Sequence, residues 1–172
     1  MKKTLSIFAV IMIFSASIFA QGFKVKASGD QTFNFQDKAG RNQTTFFSTT
    51  PLEDITGLSG DVKGNVTFNV NDVKTLKGKV IVSVASIKTG IDLRDEHMRD
   101  AGWLDAAKYP EISFEIKKVS DVKSVADNKL TAKITGSYTM KGVTKEVIAD
   151  ATLTYLDESD QTKSRAAGDL LG

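Results

Sequence analysis

The sequence predicts an all-β, antiparallel domain, closed as a barrel or folded as a sandwich. Three observations carry this. Apolar and polar residues alternate with a period of two over most of the chain after residue 20. Turn-forming residues interrupt the alternation at Ser59-Gly60-Asp61, Asp127-Asn128 and Lys141-Gly142. Each alternating row has one apolar and one polar side, as a sheet between core and water requires.

The first twenty residues stand apart. Lys2 and Lys3 precede an apolar, uncharged run over residues 5–20, and Gln21-Gly22 opens polar sequence. This reads as a secretory signal peptide cleaved near Ala20. Ile18 occupies the position three before the cut, where a small residue is usual. The run is shorter than the roughly 20 apolar residues of a membrane span. The domain is therefore expected over residues 21–172.

About seven strands are expected, near residues 23–35, 43–50, 61–71, 77–89, 111–121, 129–141 and 144–156. Phe33 and Phe35, then Phe46, mark the first two. Val66, Phe68 and Val70 share a face, as do Val80, Val82 and Val84. Ile112, Phe114 and Ile116 form the next row. Leu130, Ala132, Ile134, Gly136, Tyr138 and Met140 follow, then Val147, Ala149, Ala151, Leu153 and Tyr155. Ala132, Gly136, Ala149 and Ala151 are small. They either sit opposite large partners in a packed core or leave room for a ligand in a lumen. A membrane-spanning barrel needs an apolar outside. The polar faces here are rich in Lys, Glu and Asp and lack an aromatic girdle, which argues against it.

Charge and composition exclude several classes. Without Lys2 and Lys3 the 23 basic residues become 21, equal to the 21 acidic ones. Zero net charge argues against nucleic acid or an anionic membrane as partner. There is no Cys, so disulfides, thiolate metal sites, Cys nucleophiles and a lipoprotein anchor are excluded. A soluble protein is expected, periplasmic or secreted, not membrane-spanning once the leader is removed.

Residues 93–110 break the pattern. They hold the only His (His97), the only Trp (Trp103), Arg94, Arg99 and Pro110. Asp92 is a candidate N-cap, and Asp95 and Arg99 have the i, i+4 spacing of a helical ion pair. Gly102 can end the helix, and Pro110 holds Tyr109 extended at the start of the next strand. Leu93, Met98, Ala101 and Leu104 form its expected apolar side. The insert reads either as a lid or plug over one end of the sheet, or as a connection that caps the core. Catalysis is not expected. His97 has neighbouring acids but no GxSxG nucleophile, and one His is too few for a transition-metal site. Arg94 and Arg99 fit either an anionic head group or surface ion pairs.

Three segments carry a family resemblance. They are SIKTGIDLRDEHMRDAGWLDAAKYPEISFEI (residues 86–116), GSYTMKGVTKEV (136–147) and YLDESDQTKSRAAGDLLG (155–172). Together they resemble the YceI-like family, exported lipocalin-like proteins that bind polyisoprenoid lipids. The resemblance implies an eight-stranded antiparallel β-barrel with a helical insert at residues 93–103. It implies a long amphiphile, such as an isoprenoid quinone or a polyprenyl chain, threaded into an apolar lumen, with no cofactor. The family often has His before the Gly of the GVTK turn, where this chain has Lys141, so no role is carried over there. The family pattern also continues past GDLLG, which implies a C-terminal truncation and two unpaired sheet edges.

The alternation then proposes a lumen. Its expected lining is Phe68, Val82, Val84, Phe114, Ile116, Ile134, Tyr138, Val147, Ala149 and Leu153, with Met98 and Trp103 near the mouth. Transport, as a carrier or reservoir of such a lipid, is the leading expectation; a homodimer is left open. The rivals are a stress-linked protein acting through protein contacts with a packed lumen, and an enzyme acting on such lipids. The enzyme lacks a visible nucleophile or metal.

Overall fold

The computed structural model describes residues 21–35, 37, 40–160 and 162. The leader expected over residues 1–20 and the truncation expected at the C-terminus lie outside them.

Eight strands occur among the described residues: β1 (Asp30–Asn34), β2 (Thr44–Thr49), β3 (Asp54–Ser59), β4 (Val62–Asn69), β5 (Asp72–Ser83), β6 (Glu111–Ala126), β7 (Lys129–Met140) and β8 (Val143–Thr154). A 3₁₀ turn (Val84–Ser86) and one helix, α1 (Asp92–Arg99), separate β5 from β6. Six strands form one sheet in the order β1-β4-β5-β6-β7-β8, while β2 and β3 pair only with each other as strands. Every ladder is antiparallel.

The strand count exceeds the expected seven because β3 leaves little alternation signal. Its inward row is Ile55, Gly57 and Ser59, and the Phe46 ring of β2 covers Gly57. The partner strand supplies the apolar bulk that β3 lacks. The first expected strand is also shorter. Before Asp30 the chain bonds point by point rather than in a ladder. Phe23 N–H donates to the Val70 carbonyl at 2.8 Å, and Lys24 N–H to the Asp127 carbonyl at 2.7 Å. Lys26 and Ala27 N–H groups donate to the Asp157 carboxylate at 3.0 and 3.1 Å. This segment closes the end of the sheet that carries the β4–β5 and β6–β7 turns.

The two edges, β1 and β8, share no ladder. Side chains bridge them instead. Phe33 of β1 meets Tyr155, just after β8, edge to face at 5.9 Å. Phe23 packs against Tyr155 at 5.7 Å and Phe68 at 6.0 Å. The buried core gathers at this end: Phe23, Phe68, Val70, Val73, Leu76, Val119, Val122, Leu130, Ala132, Ile134 and Tyr155. Each large apolar side chain so buried contributes about 1.5–3 kcal/mol. At the other end β7 turns into β8 through Lys141 and Gly142, with φ of 48° and 72°. Two successive positive φ values make the tight hairpin turn whose twist matches its strands.

Candidate functional site

Curling six strands toward one another leaves the inner face unfilled above the core. A cavity of about 770 Å³ lies there, lined among others by Phe33, Phe68, Phe114, Ile116, Ile134 and Leu153. A second space of about 220 Å³ lies between the β2–β3 hairpin and the sheet. Phe46, Leu58 and Ser59 form the hairpin wall, and Val82, Ile112 and Tyr138 the sheet wall. Val80 and Phe114 border both. No charged side chain is among the described residues lining either space. The Tyr138 phenol donates to the Met140 sulfur at 3.7 Å, and burial pushes its pKa up.

Register explains this lining. Val80, Phe114 and Tyr138 lie abreast on β5, β6 and β7. Leu153 lies opposite Leu130. From the level of Leu130 to that of Tyr138 along β7 is about 26 Å, at roughly 3.3 Å per residue. Gly136 is not an empty place in this wall. A Cβ built there would lie 2.5 Å from the Phe114 ring, so that ring fills the position.

Phe68, Val82, Phe114, Ile116, Ile134, Tyr138 and Leu153 are thus brought together around the two spaces. Three more residues expected in the lining, Val84, Val147 and Ala149, and the two expected near the mouth, Met98 and Trp103, border neither space. Val84 is buried in the 3₁₀ turn beyond β5. Val147 and Ala149 lie on the edge strand β8, where Ala149 is exposed because, among the described residues, no strand pairs beyond it. Met98 is half-buried on α1, and Trp103 is 69% exposed. Sequence reasoning missed Phe33, Phe46, Leu58, Val80 and Ile112 as lining. All but Leu58 lay in rows or strands already recognised; Leu58 belongs to the unforeseen β3.

The insert is built around a buried acid. Asp95 is 1% exposed. Its Oδ1 accepts from Thr89 N–H at 2.8 Å and from Thr89 Oγ1 at 2.6 Å. Lys88 Nζ lies 3.9 Å from Oδ2. The Thr89 hydroxyl bond holds the Asp95 pKa below its ordinary value, against the opposing effect of burial. The expected Asp95–Arg99 pairing is replaced. Asp95 turns inward to Thr89, and Arg99 donates to the Ala85 carbonyl at 3.1 Å. Asp92 is the first helical residue rather than the cap; Ile91 holds the N-cap position without a side-chain bond. The helix ends at Arg99, before Gly102. Leu93, of the expected apolar side, is 61% exposed. Arg94 donates to Thr89 Oγ1, to the Thr89 carbonyl and to Glu53 Oε2, at 2.8, 3.1 and 2.9 Å. Lys141, at the β7–β8 turn, donates to the Ala101 carbonyl at 3.2 Å.

Among the described residues, no three His, Asp or Glu side chains gather as a metal site, and no helix is long and apolar enough to cross a membrane. His97 is exposed on α1.

Comparison with known proteins places this architecture. The chain is 35% identical over 118 residues to the UPF0312 protein of Pseudomonas fluorescens, covering 67% of this chain and 60% of that protein. The alignment therefore spans less than two thirds of that relative. It is 33% identical over 156 residues to Protein YceI of Escherichia coli, covering 89% of this chain and 73% of that protein. Among solved structures, Burkholderia cenocepacia BcnA superposes with a TM-score of 0.56 at 18% identity, covering 72% of this chain and 74% of that one. At that identity the likeness is one of fold. The family model for the YceI-like domain matches residues 24–170, and the chain belongs to that family.

Proposed function

We propose that this protein binds a long amphiphilic lipid of isoprenoid type and carries or stores it, without catalysis, in the periplasm or outside the cell. The observation that supports this most is the pair of adjoining apolar spaces without charged lining, meeting at Val80 and Phe114. The larger has a volume within the roughly 300–1,000 Å³ of small-molecule sites. Each CH₂ of a tail taken from water into it contributes about 0.8 kcal/mol. Affinity then comes from the tail, and head-group choice from the rim. The test is native mass spectrometry of the full-length protein isolated from its own cells, with solvent extraction of bound material. A stoichiometric adduct of isoprenoid mass is expected. A bare mass, together with no uptake of added geranylgeraniol, sinks this reading.

A second reading has its own observation. Leu52 is 96%, Leu93 61% and Trp103 69% exposed. Such side chains suit a protein contact. A partner that binds equally well to lipid-free protein and is lost on Trp103→Ala favours that role.

A further inference from the structure

The β2–β3 hairpin is the one ladder outside the six-stranded sheet among the described residues. It pairs with itself from Thr44↔Ser59 to Thr49↔Asp54. Yet it supplies a whole wall of the upper space through Thr44, Thr45, Phe46, Leu58 and Ser59. Among the described residues, Asp61 N–H donates to Ser59 Oγ at 3.2 Å beside β3, and the other polar bonds that tie β3 and its turn to the rest of the molecule end on residues 86–94. Leu58 and Lys88 exchange two backbone hydrogen bonds of 2.8 Å. Ser59 Oγ lies 2.6 Å from Ser86 Oγ. Glu53, in the turn before β3, accepts from Arg94.

We infer that this hairpin is a lid over the upper space, latched to the helical insert through Glu53–Arg94 and to the 3₁₀ turn before it through Ser59–Ser86. This deepens the lipid-binding reading and rests on it. Swinging the hairpin away exposes Val82, Ile112 and Tyr138, and behind them the Val80–Phe114 junction that opens to the larger cavity. A long tail could pass there without parting any strand of the main sheet. The charged core of the insert then has a task. Asp95 fixes Thr89, Thr89 fixes the Arg94 guanidinium, and Arg94 holds Glu53.

The chain has no Cys, so a cross-link can be added cleanly. Ser59→Cys with Ser86→Cys places two sulfurs where the hydroxyls already meet, within the reach of a disulfide. The probe is all-trans-retinol, a fluorescent isoprenoid alcohol, followed by stopped flow. Retinol uptake and release are expected to be at least 10-fold slower in the oxidised double variant than in the same protein after reduction. The wild type should not respond to reductant. Glu53→Gln, at an exposed position, is expected to release retinol at least 2-fold faster than wild type. Equal rates in the oxidised and reduced forms overturn the lid while leaving lipid binding intact; cargo then passes elsewhere, for example between β1 and β8. Unchanged release from Glu53→Gln overturns the latch. Failure of every form, wild type included, to bind retinol overturns the lipid reading and the lid with it.

Discussion

Thr89 stands between opposite charges: its Oγ1 donates to Asp95 Oδ1 at 2.6 Å and accepts from Arg94 Nε at 2.8 Å. One hydroxyl thus sets the place of a buried carboxylate and of a guanidinium that reaches β3's turn. Hydrogen bonds to charged groups are worth more than neutral ones, and a buried donor left without its acceptor is costly. Asp95→Ala is expected to lower unfolding free energy by about 3 kcal/mol. Chemical denaturation of the variant and wild type measures it; a change within error would show the buried acid to be dispensable.

The same carboxylate predicts an acid response. Its folded pKa lies below the ordinary 3.8. Its contribution is therefore complete above that value and is lost as pH falls through the lower, folded one. Wild-type stability should decline below pH 3.8 more steeply than that of Asp95→Asn, which has no proton to take up. Parallel melting curves across that window would contradict this.

Phe114 and Gly136 pack as large against small. A methyl at Gly136 meets both the ring, at 2.5 Å, and the Glu115 carbonyl, at 2.6 Å. Gly136→Ala is expected to cost about 1–3 kcal/mol, as overpacking does, and to push Phe114 into the cavity. Denaturation midpoints and retinol stoichiometry should fall together.

Val80 and Ala149 make a paired test of which wall matters. Val80 borders both spaces, whereas Ala149 is exposed on β8. Val80→Phe should reduce bound retinol at least 5-fold, and Ala149→Phe should leave it unchanged. Titration by retinol fluorescence reads both. The reverse ranking would place the binding surface on β8.

Tyr155 joins Phe23 and Phe33, and so links the N-terminal segment, β1 and the end of β8. Removing its ring leaves a hole where no strand ladder holds the edges. Tyr155→Ala should cost about 3 kcal/mol, and amide exchange should quicken first in β1 and residues 21–27. Loss spread evenly over the sheet would argue against a local clasp.

Much of this was legible in the sequence because it is local. Period-two rows named the strands of the main sheet and the inward side of each. Lys141-Gly142 marked its hairpin because glycine takes a positive φ without steric cost. The charged cluster around RDEH marked the helix α1. Tertiary structure decided the rest. Strand β3 has an inward Gly57 because the Phe46 ring covers it from the neighbouring strand, and an inward Ser59 because its hydroxyl meets that of Ser86, which no window along β3 reveals. Alternation placed Val80 and Ala149 alike on apolar rows. Only the curl of the sheet turned Val80 toward a facing hairpin and left Ala149 on an edge with nothing opposite. Asp95 matched a helical ion pair with Arg99 on spacing alone. Its burial beside Thr89 depends on how the insert folds back over the end of β5, and a buried carboxylate takes the nearest donors rather than a cation one turn away.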